Sequence, residues 1–316
     1  MFLGLTALVF GVTGEVPKFV AEDIKPKTSF DVSAHIKAGL QSRNRMDKAR
    51  PAVSPVVQKK AFTHYADLEV SAALINRALD REYWTDQGAH FDPVNNERLV
   101  QSVTEPFLLQ RGIKEVLAVG VSDYAGSKAN RLQNIEATIA KFDGYIVPRG
   151  AEFSFNELLE EVSEDSGFTW ARVLKNGKNA WGLGGGVCQV STNVFRAALN
   201  AGLTIDERRA HSLVFEKYAP TGLDATIYLG QQDLKFTNNT PGDVLMKFVM
   251  RDEKLVTVFY GTKDTRQVSL EKTKHWEGFD GRTATHWTRK VQYKQSAEEE
   301  TFVSNYRAPQ VEEASN

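Results

Sequence analysis

From Ala66 onward, apolar positions recur at helical spacing. In "LEVSAALINRALDREYW" Val70, Leu74 and Ala78 fall near one face, and "FDPVNNERLVQSVTEPFLL" offers Asp92 as an N-cap with Pro93 at the first helical position. A small helical subdomain over residues 61–114 is expected. "KEVLAVGVSDY" then reads as a strand, and "SKANRLQNIEATIAKFDG" as a helix with Ile135 and Ile139 four apart, closing near Gly144. "YIVPRGAEFSFNELL" follows as a strand, a turn and another short element. In "VCQVSTNVFRAALNAG" Val187, Val190, Val194, Ala197 and Ala201 keep helical spacing up to Gly202, the mark of a buried helix.

Beyond that helix the period changes to two. "AHSLVFEKY", "LDATIYLG", "DLKFTNN", "DVLMKFVMRD" and "KLVTVFYGT" are parted by Pro-Gly, Thr-Gly, Asn-Asn and Asp-Glu-Lys turn signals. An antiparallel sheet packed on the glycine-led helix, hence an α+β fold, is the expected architecture. More polar strands, "RQVSLEKTKHW", "THWTRKVQYK" and "ETFVSNYRA", continue into a β-rich extension over 263–316 with an acidic tail. At the other end, residues 1–14 form an apolar segment too short to span a bilayer, which reads as a signal or anchor remnant in preference to a buried element. Residues 15–60 lack sustained periodicity and read as an extension or linker.

Composition narrows the function classes. With 41% apolar residues in 316 the chain can bury a real core, and 39 basic against 40 acidic residues remove the electrostatic footprint of a nucleic-acid binder. One cysteine excludes a disulfide framework, and six histidines without ligand spacing give no metal site, so neither metal nor cofactor is expected.

That cysteine, Cys188, stands in "WGLGGGVCQVST", after a glycine run and at a helix start. Unpaired N–H groups and the positive dipole end at such a place favour thiolate over thiol and can receive an oxyanion. A base is required, and His211 follows 23 residues later (211 − 188). Asp224, on the next expected strand, is placed to orient the imidazole. Cys on a helix start, with His and Asp on neighbouring strands, is the layout of papain-like and transglutaminase-like enzymes, an analogy at the level of fold. The competing reading makes Cys188 a small buried hydrophobe. A phosphate cradle is disfavoured, because the glycine run lacks a GK[ST] ending. Among Gly184, Gly185 and Gly186 at least one positive φ, or one approach too close for a Cβ, is expected.

"NRLQNIEATIAKFDGYIVPRGAEFSFNELL", "GFTWARVLKNGKNAWGLGGGVCQVSTNVFRAALNAGLTIDERRAHS" and "GLDATIYLGQQDLKFTNNT" resemble successive signature blocks of the VanW family, named for an accessory protein of vancomycin-resistance clusters. The resemblance covers residues 115–262, with GGGxCQxST its most specific block. "PRGAE" stands where the family has a tighter "PGE". Carried over position by position, the resemblance marks Cys188, His211 and Asp224 together with Gly186, Gln189, Ser191, Arg131, Asn156, Arg208 and Asp233. Gln189 and Asn156 are candidate donors to an oxyanion or substrate amide, with Gly186 beside them. Arg131 and Arg208 are candidates for a peptide carboxylate or for structural ion pairs, and Ser191 for the substrate or for the first helical turn. Asp233 is the alternative orienting acid.

The resemblance implies a bacterial protein that is exported, membrane-anchored or associated with the cell wall. The combined expectation is a cysteine-dependent amidase, peptidase or transpeptidase acting on cell-wall peptides. Its rival is a noncatalytic peptidoglycan-binding or scaffolding module.

Overall fold

A computed structural model describes residues 64–79, 101–175 and 178–309 of the chain. The apolar segment 1–14, the linker 15–60, the Asp92–Pro93 helix start and the acidic tail lie outside the described residues. All described residues belong to one unit, Lys60–Asn316.

The centre is a four-stranded antiparallel sheet in the order β1–β9–β8–β2, formed by β1 (Glu115–Asp123), β2 (Ile146–Val147), β8 (Val244–Arg251) and β9 (Lys254–Gly261). The two-residue period sends alternate side chains to opposite faces. In β9, Leu255 and Phe259 join one apolar cluster, while Val256, Val258 and Tyr260 join another. The second cluster is covered by Leu74 and Ala78 of α1 (Ala72–Ala78) and Leu108 of α2 (Pro106–Gln110). Ser71 caps α1, its Oγ accepting from the Leu74 amide at 3.3 Å. A register shift between Val116 and Ala118 turns Ala118 toward the first cluster.

The first cluster is built on α3 (Ala129–Phe142) and α5 (Val187–Asn200). Every residue of α5 except Cys188 is buried, including Gln189, Ser191, Thr192, Asn193, Arg196 and Asn200. Buried polar groups must be bonded, and here the edge strand β1 supplies the partners. The Val119, Val121 and Asp123 carbonyls, two residues apart, accept from Asn200 (2.7 Å), Arg196 (2.5 Å) and Gln189 (2.9 Å). The helix thereby covers a sheet edge that would otherwise be open to pairing.

Among the described residues, three smaller sheets accompany the central one. The order β3–β7–β6 joins β3 (Glu152–Ser154), β6 (Thr204–Glu207) and β7 (Lys235–Thr237), with α4 (Phe155–Leu159) following β3. The hairpin of β4 (Trp170–Lys175) and β5 (Lys178–Leu183) leads into α5. The strands β10 (Gln267–Glu277), β11 (Thr283–Gln292) and β12 (Ala297–Tyr306) form an antiparallel meander whose Val268, Leu270, Trp287, Val291 and Phe302 enter the first cluster. The fold is α+β. Among the described residues no helix is long and apolar enough to cross a membrane.

The two strands expected over "AHSLVFEKY" and "LDATIYLG" are not formed. Apart from one 3₁₀ turn at Glu216–Tyr218 and the single bridge between Tyr228 and Gln232, the chain from residue 208 to 232 is irregular. The reason is competition for its backbone groups. Arg208 takes the Gly222 and Asp224 carbonyls, Arg196 those of Tyr218 and Leu223, and Ser191 that of Ala225. Between the two segments one backbone bond remains, from Thr226 N to Arg209 O at 2.8 Å.

The contact of α5 with β1 is close enough to exclude a methyl group. A Cβ on Gly120 would stand 2.1 Å from the Asn193 carbonyl oxygen. Gly120→Ala is expected to cost about 3 kcal/mol or more. Gly167→Ala, at φ +88° with its nearest neighbour 3.9 Å away, should cost about 1–2 kcal/mol, the left-handed backbone penalty alone. Urea unfolding of the two variants measures the difference; equal losses would show that α5 does not press on β1.

Candidate active site

The glycine run is shaped by its surroundings. Gly184 has φ +77° and Gly186 φ +126°, and a Cβ on Gly185 would lie 2.4 Å from the Arg172 carbonyl oxygen. A Cβ on Gly186 would meet the Arg131 carbonyl oxygen at 3.0 Å. The chain passes between β4 and α3 where side chains do not fit, and Asn134 braces it: its amide donates to the Gly185 and Thr169 carbonyls, both at 3.0 Å. The turn delivers Gly186 as the N-cap of α5 and Cys188 as its second residue.

Cys188 is half-buried, with Thr226 Oγ1 and the Ile227 carbonyl oxygen each 3.8 Å from Sγ. Burial pushes its thiol up. A hydrogen bond and charge from His211, with smaller help from Ile227 and Thr226, outweigh this and hold it below the ordinary cysteine value. His211 is buried between Tyr218, with ring centroids 4.9 Å apart, and Phe215, edge-on at 5.4 Å. Burial pulls its imidazole down, but Asp224 and Cys188 raise it to about 9.

Asp224 holds His211 twice. Its Oδ2 accepts from the His211 backbone N–H at 2.7 Å and faces the ring Nδ1 at 2.5 Å. Its Oδ1 accepts from the Tyr306 hydroxyl at 2.5 Å and lies 3.5 Å from the Arg208 guanidinium. Burial pushes this carboxyl up, yet the His211 hydrogen bond and the His211 and Arg208 charges leave it well below the usual carboxylate range. An ionised acid on Nδ1 favours one tautomer and one orientation of the ring.

The remaining sequence candidates fall elsewhere. Both amide hydrogens of Gln189 are engaged, by Ser122 Oγ at 3.0 Å and the Asp123 carbonyl at 2.9 Å, while Oε1 accepts from Arg131 at 2.6 Å. Gln189 therefore has no hydrogen left for an oxyanion, and its expected donor role is corrected to one of holding Arg131. Arg131 also reaches the Tyr218 hydroxyl at 3.4 Å. Arg208 is buried on Asp224, Gly222 and Ser304 with its guanidinium 5.0 Å from the Phe195 ring centroid, so it serves the fold and not a ligand carboxylate. Ser191 gives its hydroxyl to Ala225 O at 2.7 Å, which corrects its substrate-binding reading.

Asp233 and Asn156 form a cluster of their own. Asp233 accepts from Ser154 Oγ at 2.6 Å and the Asn156 amide at 2.9 Å, and Asn156 Nδ2 donates to Gln232 O at 2.8 Å. They tie the start of α4 to the segment before β7, and the carboxylate bonded to His211 is that of Asp224. Among the described residues no group of three or more His, Cys, Asp or Glu side chains is placed to hold a metal ion.

Sequence reasoning missed Tyr218, Phe215 and Tyr306. The first two lie in a segment read as a strand, where alternation puts Phe215 on the face of His211 but Tyr218, seven residues on, on the opposite face. Tyr306 is 82 residues from Asp224 and carries no local signal.

Native Cys188 is expected to alkylate at pH values below the roughly 8.5 of a free cysteine. His211→Ala should move that curve upward past it, because burial is then opposed only by Thr226 and Ile227. Iodoacetamide rates followed by intact mass across pH measure both; coincident curves would show that the imidazole does not govern the thiol.

Residues 130–260 match a family model described as VanW like protein. The chain is 30% identical over 142 residues to the uncharacterized protein YoaR of Bacillus subtilis (strain 168), covering 45% of this chain and 46% of that protein. It is 31% identical over 139 residues to the Vancomycin B-type resistance protein VanW of Enterococcus faecalis (strain ATCC 700802 / V583), covering 42% and 50%. The chain thus spans about half the length of the curated relatives it matches. No solved structure matches it. The thiol, imidazole and carboxylate all lie inside the matched region, and the chain carries a VanW-like domain over residues 130–260.

Proposed function

We propose that this chain is a cysteine-dependent enzyme acting on peptide or amide bonds of cell-wall peptides, with Cys188 as nucleophile, His211 as proton carrier and Asp224 as the orienting acid. The observation that carries this reading is the Asp224 carboxylate on His211 Nδ1, supported by the lowered Cys188 thiol that His211 holds down. In the reaction the Cys188 thiolate adds to the substrate carbonyl, and the Cys188 backbone N–H at the start of α5 receives the oxyanion. The His211 imidazolium gives its proton to the leaving amine as the carbon–nitrogen bond breaks, leaving an acyl group on Sγ. Neutral His211 then takes a proton from water or from an acceptor amine, which displaces the acyl group and restores the thiolate and imidazolium; water gives hydrolysis and an amine gives transpeptidation.

A thiol at a helix start, with histidine and aspartate packed against it, is analogous to the papain-like and transglutaminase-like layout, except that His211 and Asp224 here stand on irregular segments. The choice of a cell-envelope substrate is supported by the Enterococcus relative, whose name ties that protein to vancomycin resistance. On this reading the chain works outside the cytoplasm, anchored to the membrane or associated with the wall of a bacterium.

The test is incubation with purified muropeptides, with mass spectrometry of both products and protein. Cleaved or transferred peptides and an acyl adduct on Cys188, both absent from Cys188→Ala, are expected. Binding of muropeptides with no adduct and no product would overturn the catalytic reading in favour of a noncatalytic wall-binding module.

A further inference from the structure

The C-terminal meander, beyond the region matched by the family model, reaches the back of the site. Tyr306, on the last residue of β12, is buried and donates its hydroxyl to Asp224 Oδ1 at 2.5 Å, while the same oxygen accepts the Gly222 amide at 2.9 Å. Two residues earlier on the strand, Ser304 Oγ donates to the Gly222 carbonyl at 3.1 Å and accepts from Arg208 at 2.9 Å. From β11, Trp287 donates to the Thr221 carbonyl at 2.8 Å. The fit is tight: Gly222 has φ +99°, and a Cβ there would lie 2.7 Å from Trp287 Nε1. Three side chains of one sheet therefore grip the short segment that ends in Asp224.

We infer that the C-terminal sheet is part of the catalytic apparatus and that Tyr306 is the positioning residue for Asp224, setting through it the direction and charge of His211. This inference rests on the catalytic reading of Cys188, His211 and Asp224. A carboxylate rotates about its last bond unless both oxygens are held. His211 binds Oδ2, and on Oδ1 the Tyr306 hydroxyl makes a short bond where Arg208 stands at 3.5 Å. Other charged or titratable groups close to this centre are Arg196, Tyr218 and Cys188. Loss of the hydroxyl frees the carboxylate to turn toward Arg208, weakens the bond to Nδ1 and leaves the imidazolium less well held. The thiolate that depends on it is then formed only at higher pH.

The experiment compares Cys188 alkylation across pH, together with melting temperature, in full-length wild type, Tyr306→Phe, Asp224→Asn, His211→Ala and Val303→Thr. Val303 lies on the same strand, half exposed to solvent, and its variant should match wild type. Tyr306→Phe should shift the alkylation curve upward and slow the reaction at neutral pH by roughly three- to tenfold, the scale of one net hydrogen bond, while still unfolding cooperatively. Asp224→Asn should do the same to a larger degree. If Asp224→Asn shifts the curve and Tyr306→Phe leaves it in place, Tyr306 only supports the fold and the inference is overturned with the catalytic reading intact. If neither Asp224→Asn nor His211→Ala moves the curve, the catalytic reading itself fails. Should Tyr306→Phe not fold, Ser304→Ala removes the bonds of that side chain to the Gly222 carbonyl and to Arg208; a smaller upward shift supports the inference, and an unmoved curve overturns it.

Discussion

Helix α5 is buried on every side except at Cys188, yet it carries amides, hydroxyls and a guanidinium that need partners. Desolvating such groups costs too much to leave them unpaired, so the surroundings of the helix are arranged to bond them. The edge of β1 offers alternate carbonyls to Asn200, Arg196 and Gln189, and the 218–225 segment offers those of Tyr218, Leu223 and Ala225. That second set of bonds pulls the segment out of any sheet and holds it beside the start of the helix. The position of Asp224, and through it of His211, follows from how α5 satisfies its own polar side chains.

Electrostatics build on the same packing. A carboxylate as buried as Asp224 would be costly in isolation, but it has the His211 ring and backbone, the Arg208 guanidinium and the Tyr306 hydroxyl around it. The negative charge so stabilised raises the imidazole, and the imidazole lowers the thiol. Cys188 is the end of this chain of interactions and the one residue of α5 left partly open to solvent. Burial that would make a lone cysteine inert here strengthens the pairing that activates it.

The family-model match over residues 130–260 holds the thiol, the imidazole and the carboxylate, and this chain covers about half of each curated relative. The C-terminal sheet falls outside the family-model match, although its Trp287 and Phe302 belong to the same apolar cluster as α5. A boundary drawn by sequence similarity at residue 260 therefore divides what packing joins.

Much of this was written locally in the chain. The helical spacing from Val187 to Ala201, the alternation in 244–261 and the turn signals between strands correspond to α5, β8 and β9, because periodicity reports which face of an element is buried. The glycines before Cys188 announced a place without room for a Cβ, and the order Cys188, His211, Asp224 was readable as a nucleophile, a base and an acid. What the pattern misjudged was the backbone around the last two: "AHSLVFEKY" and "LDATIYLG" alternate like strands, but the Tyr218, Leu223, Asp224 and Ala225 carbonyls are captured by arginine and serine side chains. The same limit hid the internal engagement of Gln189, Ser191 and Arg208 and the arrival of Tyr306 from the far end of the chain. Alternation and spacing describe a residue relative to its near neighbours, whereas the partner of a buried polar group is chosen by whatever the tertiary packing brings within hydrogen-bond reach, and that choice was made only in three dimensions.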